Sequence, residues 1–159
     1  MRQSTARTTQ TWLYLSQVHI EANPYVPIAG ARRVNLERVV AQARSRGRDP
    51  RVCLYALSFD EQVPRASLDS AAAYARRKSW QVGSEQSFTD PDDATAPQDR
   101  PGWGHVRKQI RAGFADGVVV ITADVVSSEV DEYRDELAWF EEHHGFIALV
   151  IPEITTERT

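Results

Sequence analysis

Val52-Cys53-Leu54-Tyr55-Ala56-Leu57 is an unbroken apolar run, preceded by the turn Gly47-Arg48-Asp49-Pro50 and followed by Ser58-Phe59-Asp60-Glu61-Gln62. A short apolar run bounded by turn residues reads as a strand covered on both faces. Two further runs of this kind, rich in β-branched residues, lie at 118–122 and 146–151. Between these runs the period changes. Ser67 is read as the cap of a helix reaching Lys78, and residues 81–88 as a weaker strand. Residues 89–98 hold three Asp, two Pro and two Ala, and read as an exposed loop. The loop leads into a helix in which Trp103, Val106 and Ile110 share a face and Gly113 marks the exit. Val130, Tyr133, Leu137 and Phe140 line one side of a last helix, which Gly145 is expected to terminate.

Alternating strands and helices predict an α/β fold: an open, mainly parallel sheet of four or more strands with helices on both faces. In such sheets the functional crevice lies beyond the carboxyl ends of the strands, at a switch in strand order. The first and third strands deliver Ser58 and Asp124 there.

Upstream, residues 1–49 read as an N-terminal extension with a disordered start, a strand at 12–20 and a helix. Asn23 to Gly30, with Pro24 and Pro27, is read as punctuation. Asn35 is the expected helix cap, Leu36, Val39, Val40 and Ala43 its one-sided face, and Arg44, Arg46 and Gly47 its end. The extension is a candidate for an added interface or for covering a sheet edge. Residues 50–154 form the α/β domain and 155–159 a tail.

The chain has 159 residues, 42% of them hydrophobic and 26% charged, enough for a core without metal or disulfide. Its single cysteine, Cys53, excludes an intramolecular disulfide and sits where a buried small hydrophobe would. No stretch approaches the ~18 apolar residues of a membrane span, and the polar start lacks a signal-peptide core. The expected location is the cytoplasm, with no membrane contact.

The formal charge of −3 is unevenly spread. Residues 1–50 carry eight Arg against Glu21, Glu37 and Asp49, a formal +5, whereas the remainder carries 11 basic against 19 acidic side chains, or −8. The main domain is therefore poorly charged for holding DNA by itself, and any nucleic-acid contact is expected from the first fifty residues rather than from it.

Tyr55 to Gln62, with Ser67-Leu68-Asp69 opening a helix, resembles the first strand, nucleophile loop and first helix of the resolvase/invertase family of serine recombinases. Asp99-Arg100-Pro101-Gly102-Trp103 resembles that family's Arg-Pro-Gly segment. Asp116-Gly117-Val118-Val119-Val120-Ile121, with Asp124 beyond it, resembles the strand and carboxylate turn, and Trp139-Phe140 and residues 145–150 its helix and fourth strand. The likeness spans about a hundred residues in order. It implies a resolvase-like fold in which a serine attacks a DNA phosphate and an arginine cluster stabilises the charge on the phosphoryl oxygens.

On that resemblance Ser58 takes the nucleophile position, Arg100 the middle-segment arginine and Asp124 the carboxylate. Ala56 stands where the first strand would carry Arg, Ala71 where the first helix would carry Gln, and Val125 and Ser128 where two more Arg would follow. Each lost oxyanion donor costs about a hundred- to a thousandfold in rate, so strand transfer is not expected from the remnant. Ser58 is read as a turn residue, and Arg100 as bridging a carboxylate such as Asp99 or Asp124 in preference to holding an anion such as phosphate in the crevice. His143 and His144 are read as helix C-terminal residues rather than metal ligands. Arg76-Arg77-Lys78 and Arg107, Lys108 and Arg111 are read as solvated faces, and most of Trp12, Trp80, Trp103 and Trp139 as packing.

The resulting expectation is a catalytically inactive, resolvase-like binding or regulatory module of a bacterium, associating with itself or a partner protein in a DNA transaction, with no cofactor and no metal. Two alternatives stand beside it: a divergent phosphoryl-transfer enzyme using Ser58, and a noncatalytic DNA-binding protein using the basic extension.

Overall fold

The computed structural model describes residues 23–93 and 95–154. The start expected to be disordered, the strand expected at 12–20 and the tail at 155–159 lie outside the described residues. Strands β1 (Arg51–Ser58), β2 (Gln81–Pro91), β3 (Gly117–Val120) and β4 (Phe146–Leu149) form one parallel sheet in the order β2-β1-β3-β4. The helices are α1 (Tyr25–Ser45), α2 (Arg65–Arg77), α3 (Pro101–Arg111), the single turn α4 (Ala123–Val126) and α5 (Val130–Glu142). This is the open parallel sheet that the alternation of elements predicts.

Period-2 alternation divides the core between the two faces. Cys53, Tyr55, Val118, Val120, Ile147 and Leu149 pack with Trp103, Val106 and Ile110 of α3 and Tyr133 and Phe140 of α5. Val52, Leu54, Val119, Phe146 and Ala148 meet Ala71 and Ala75 of α2 and Trp80 on the other face. β3 and β4 are buried at every position, which is why their sequences are continuous apolar runs. Gly117 is glycine because a Cβ there would lie 2.5 Å from the ring of Phe146, its register partner on β4.

Several element ends differ from expectation. α1 begins at Tyr25 rather than after Asn35. Pro24 sits at its N-cap and Pro27 in its first turn, where a missing N–H breaks no helical bond. The Tyr25 amide donates to Asn23 Oδ1 at 3.1 Å. α2 starts at Arg65, placing Ser67 inside its first turn rather than at its cap. The exit of α5 takes its left-handed residue at His144 (φ 60), not at Gly145. Gly145 answers a packing demand instead, since a Cβ would lie 2.7 Å from Ile110 Cγ2.

α1 is integrated with the sheet. Its early residue Ile28 belongs to one core and its later residue Val39 to the other, so the helix crosses the outer edge of β4. Arg32 Nη1 donates to the Ile147 carbonyl at 3.3 Å and Asn35 Nδ2 to the Gly145 carbonyl at 2.8 Å. A buried ion pair fixes the helix, with Arg32 Nε and Nη2 donating to Glu153 Oε2 and Oε1 at 2.6 and 3.0 Å. The Tyr133 hydroxyl adds a bond to Glu153 Oε2 at 2.7 Å. Burial alone would raise the Glu153 carboxyl, but Arg32 and Tyr133 outweigh it and hold it below the usual range.

At the amino edge of the sheet Asp116 ties β1, β3 and the α1–β1 loop together. Arg48 Nη1 and Nη2 donate to its oxygens at 2.7 and 2.9 Å, and the Arg51 amide donates at 2.8 Å. Burial pushes this carboxyl up, but the bonds from Arg48 and Arg51 prevail and lower it from 3.8 to about 2. With the folded value depressed, the stabilisation is fully present above the unfolded value and is lost as pH falls through the folded one. Asp116→Asn should reduce the unfolding free energy by about 2 kcal/mol at neutral pH. In urea denaturation across a pH series, the gap between variant and wild type should close as the pH approaches the folded-state value.

Candidate functional site

Strand order reverses between β1 and β3, and their following helices leave to opposite faces, which opens a crevice at the carboxyl edge. Ser58, the last residue of β1, is half-buried, and its hydroxyl donates to the Asp90 carbonyl at 3.4 Å. The loop beyond it places two non-glycine residues, Asp60 (φ 54) and Glu61 (φ 59), in the left-handed region, which concentrates strain beside Ser58. Phe59 and Val63 in this loop are 64% and 63% exposed. Asp124 is exposed in the first turn of α4, just beyond β3.

The organising group of this edge is Asp90, which the composition of its surroundings assigns to an exposed loop. β2 instead continues through Pro91, and Asp90 is buried. Its carboxylate accepts from the Tyr55 hydroxyl at 2.7 Å and from the amides of Gly102 and Trp103, each at 2.8 Å. The carboxylate thus caps α3 from another element. α3 starts with Pro101 and has Arg100 at its N-cap, so no local side chain serves its first amides. That missing local cap is the signal in the sequence for a distant acceptor. Gly102 permits the approach, because a Cβ there would lie 2.7 Å from Asp90 Oδ2 and 2.9 Å from the Thr89 carbonyl carbon. Burial, and then the Asp90 carboxylate, push the Tyr55 phenol far above its ordinary range, with Arg100 opposing.

Arg100 is buried, yet it does not form the expected bridge to Asp99 or Asp124. Its Nε donates to the Thr95 carbonyl at 2.9 Å and its Nη1 to the Val125 carbonyl at 2.8 Å. The guanidinium therefore joins the β2–α3 connection to α4, one residue beyond Asp124. Two of its five N–H donors are placed by these carbonyls. Asp124 lines a cavity of about 310 Å3 with Tyr25, Thr122, Ser128 and Glu153, and neither Ser58 nor Arg100 contributes to that lining. The cavity at Asp124 is thus separate from Ser58 and Arg100. Ala56 and Ala71 are buried in the core, and Ser128 is exposed.

Of the other residues read from the sequence, Trp103 is fully buried and donates through Nε1 to Glu136 Oε1 at 2.7 Å. Trp80 packs in the second core, 5.0 Å from Phe146 between ring centroids. Trp12 lies outside the described residues. His143 closes α5, its Nδ1 2.8 Å from the Trp139 carbonyl and its ring stacked on Trp139 at 4.0 Å. Arg107 is half-buried rather than part of a fully solvated face. It donates to Glu136 Oε2 at 3.3 Å and lies 4.4 Å over the Trp139 ring. Cys53 is fully buried, which pushes its thiol up to about 12.

Removing the Asp90 carboxylate leaves a hydroxyl and two amides without their acceptor. Asp90→Ala should cost about 3 kcal/mol or more in stability, read as a lowered denaturation midpoint. Tyr55→Phe, which removes one donor and leaves the helix cap, should cost about 1 kcal/mol.

No protein-family model and no curated protein matches the chain. Solved structures do. The N-terminal catalytic domain of TP901-1 integrase superposes with a TM-score of 0.54 at 24% identity, over 62% of this chain and 76% of that one. The C-terminal catalytic domain of ISC1926 TnpA, an IS607-like serine recombinase, gives a TM-score of 0.55 at 18% identity, over 63% of this chain and 70% of that one. The parallel sheet is thus the fold seen in these serine recombinase catalytic domains.

Proposed function

We propose that this domain is a catalytically silent serine recombinase-like module that acts through protein association in a DNA transaction. The observation that carries the reading is Arg100. It is the remaining arginine at the positions implied by the resemblance, and both of its described hydrogen bonds go to backbone carbonyls. At the other three arginine positions stand Ala56, Val125 and Ser128. Phosphoryl transfer by a serine depends on charged donors aimed at the developing oxyanion. A guanidinium held by carbonyls serves the fold first. Exposed Phe59 and Val63 beside Ser58 support a protein-facing role for the crevice rim. The DNA context rests on likeness to the catalytic domains of an integrase and of a serine recombinase.

The second reading, an enzyme using Ser58, draws on the placement of that hydroxyl at the carboxyl end of β1 beside the strained loop. Size-exclusion chromatography with light scattering, with and without duplex DNA, followed by denaturing gels, separates the two. The module should run as a discrete oligomer, give no covalent DNA adduct, and behave identically as Ser58→Ala. A covalent adduct that disappears in Ser58→Ala restores the enzyme. A monomer at high micromolar concentration, with no protein partner recovered from cells, removes the association reading.

A further inference from the structure

Four arginines converge on the amino edge of the sheet, at the end opposite the crevice. Arg46, Arg48, Arg51 and Arg111 line a depression of about 400 Å3 together with His143 and His144. Asp116 is the carboxylate of that lining, and it is already bonded to Arg48 and Arg51. Asp49 lies on an adjoining depression shared with Arg44 and Arg48.

Helices α1, α3 and α5 all end at this edge, and their carbonyl ends attract part of the positive charge. Arg51 Nη2 donates to the Gly113 carbonyl at 2.8 Å, and His143 Nδ1 faces the Trp139 carbonyl. Arg46 and Arg111 are not used in this way. Both are exposed, and among the described residues neither makes an ion pair or a side-chain hydrogen bond, although Arg111 lies 5.7 Å over the Trp139 ring. In a chain of net charge −3, this edge concentrates guanidinium groups beyond what its own structure consumes.

An independent observation comes from Phe114. It stands between Gly113 and Ala115, both of which line the depression, and it is 65% exposed. The left-handed turn at Gly113 (φ 79) and a bond from the Phe114 amide to the Gln109 carbonyl at 2.9 Å fix its backbone. An aromatic ring presented to water beside guanidinium groups can stack on a base while the arginines follow the phosphates.

We infer that this edge binds the phosphodiester backbone of a single nucleic-acid strand, with Arg46 and Arg111 meeting phosphates and Phe114 stacking on a base. The inference does not rest on the association reading, because Ser58, Arg100 and Asp124 lie at the other end of the sheet. The direct test is fluorescence anisotropy of a labelled oligothymidine about twenty nucleotides long, titrated with the full chain at low and rising salt.

Wild type should bind at low salt and release as salt rises. Arg46→Glu with Arg111→Glu should weaken binding at least about tenfold and flatten the salt dependence by roughly 0.7 in log–log slope for each phosphate that is no longer neutralised. Phe114→Ala should weaken binding about tenfold and leave the slope unchanged. Arg46→Glu alone, at an exposed side chain that holds nothing in place, guards against a folding artefact, and thermal melting of each variant checks it. Absence of wild-type binding at low salt, or undiminished affinity in the double variant, overturns the site. A duplex of equal length bound as tightly as the single strand, with Phe114→Ala unaffected, overturns the single-strand assignment.

Discussion

A buried carboxylate, Asp90, sets the geometry of the carboxyl edge. Its three donors come from a central strand and from the start of a helix, so the bonds fix how α3 leaves the sheet relative to β1. Burying a charged group is unfavourable unless its lone pairs are met, and here hydroxyl and amide donors surround it. The consequences spread outward. With α3 anchored, Trp103 enters the core edge-on to Tyr55 at 4.9 Å, and its indole reaches Glu136 on α5. Arg100 is thereby carried to a position from which it spans to α4.

The two ends of the sheet use different polar chemistry. At the carboxyl edge the buried polar groups, Asp90 and Arg100, are bonded largely to backbone amides and carbonyls. At the amino edge ion pairs between side chains dominate, and arginine exceeds carboxylate. The Arg32–Glu153 pair stands apart from both. It lies under α1 and is enclosed by Tyr133, so a helix upstream of β1 becomes part of the same packed unit.

The strands are legible in the sequence where burial on both faces makes them continuous apolar runs, as at Cys53, Val119 and Ile147. Helices α3 and α5 are legible from the spacing of Trp103, Val106 and Ile110 and of Tyr133 and Phe140. The start of α1 is hidden because Pro24 and Pro27 carry the same letters in a linker as in a first helical turn. Asp90 is hidden for a related reason. Thr89-Asp90-Pro91-Asp92-Asp93 has the composition of a turn, and its burial depends on Tyr55, thirty-five residues away in the chain. The ends of β1 and β3 point to Ser58 and Asp124, but the partners of Arg100 are backbone carbonyls, which leave no mark in residue identity.

The crossing of α1 over β4 also determines where the sheet could grow. With Arg32 and Asn35 bonded to backbone carbonyls at and beside β4, β2 is left as the outer strand at the opposite side of the sheet among the described residues. That strand is a poor template. While β1 advances from Val52 to Leu54, β2 advances from Val82 to Ser87, and Glu85 takes a left-handed conformation (φ 61) inside the irregularity. An incoming extended chain would meet a kinked backbone bearing a carboxylate rather than a straight row of amides and carbonyls. Accretion of further chains, the first step toward ordered aggregates, is thus obstructed at this edge by shape and charge together.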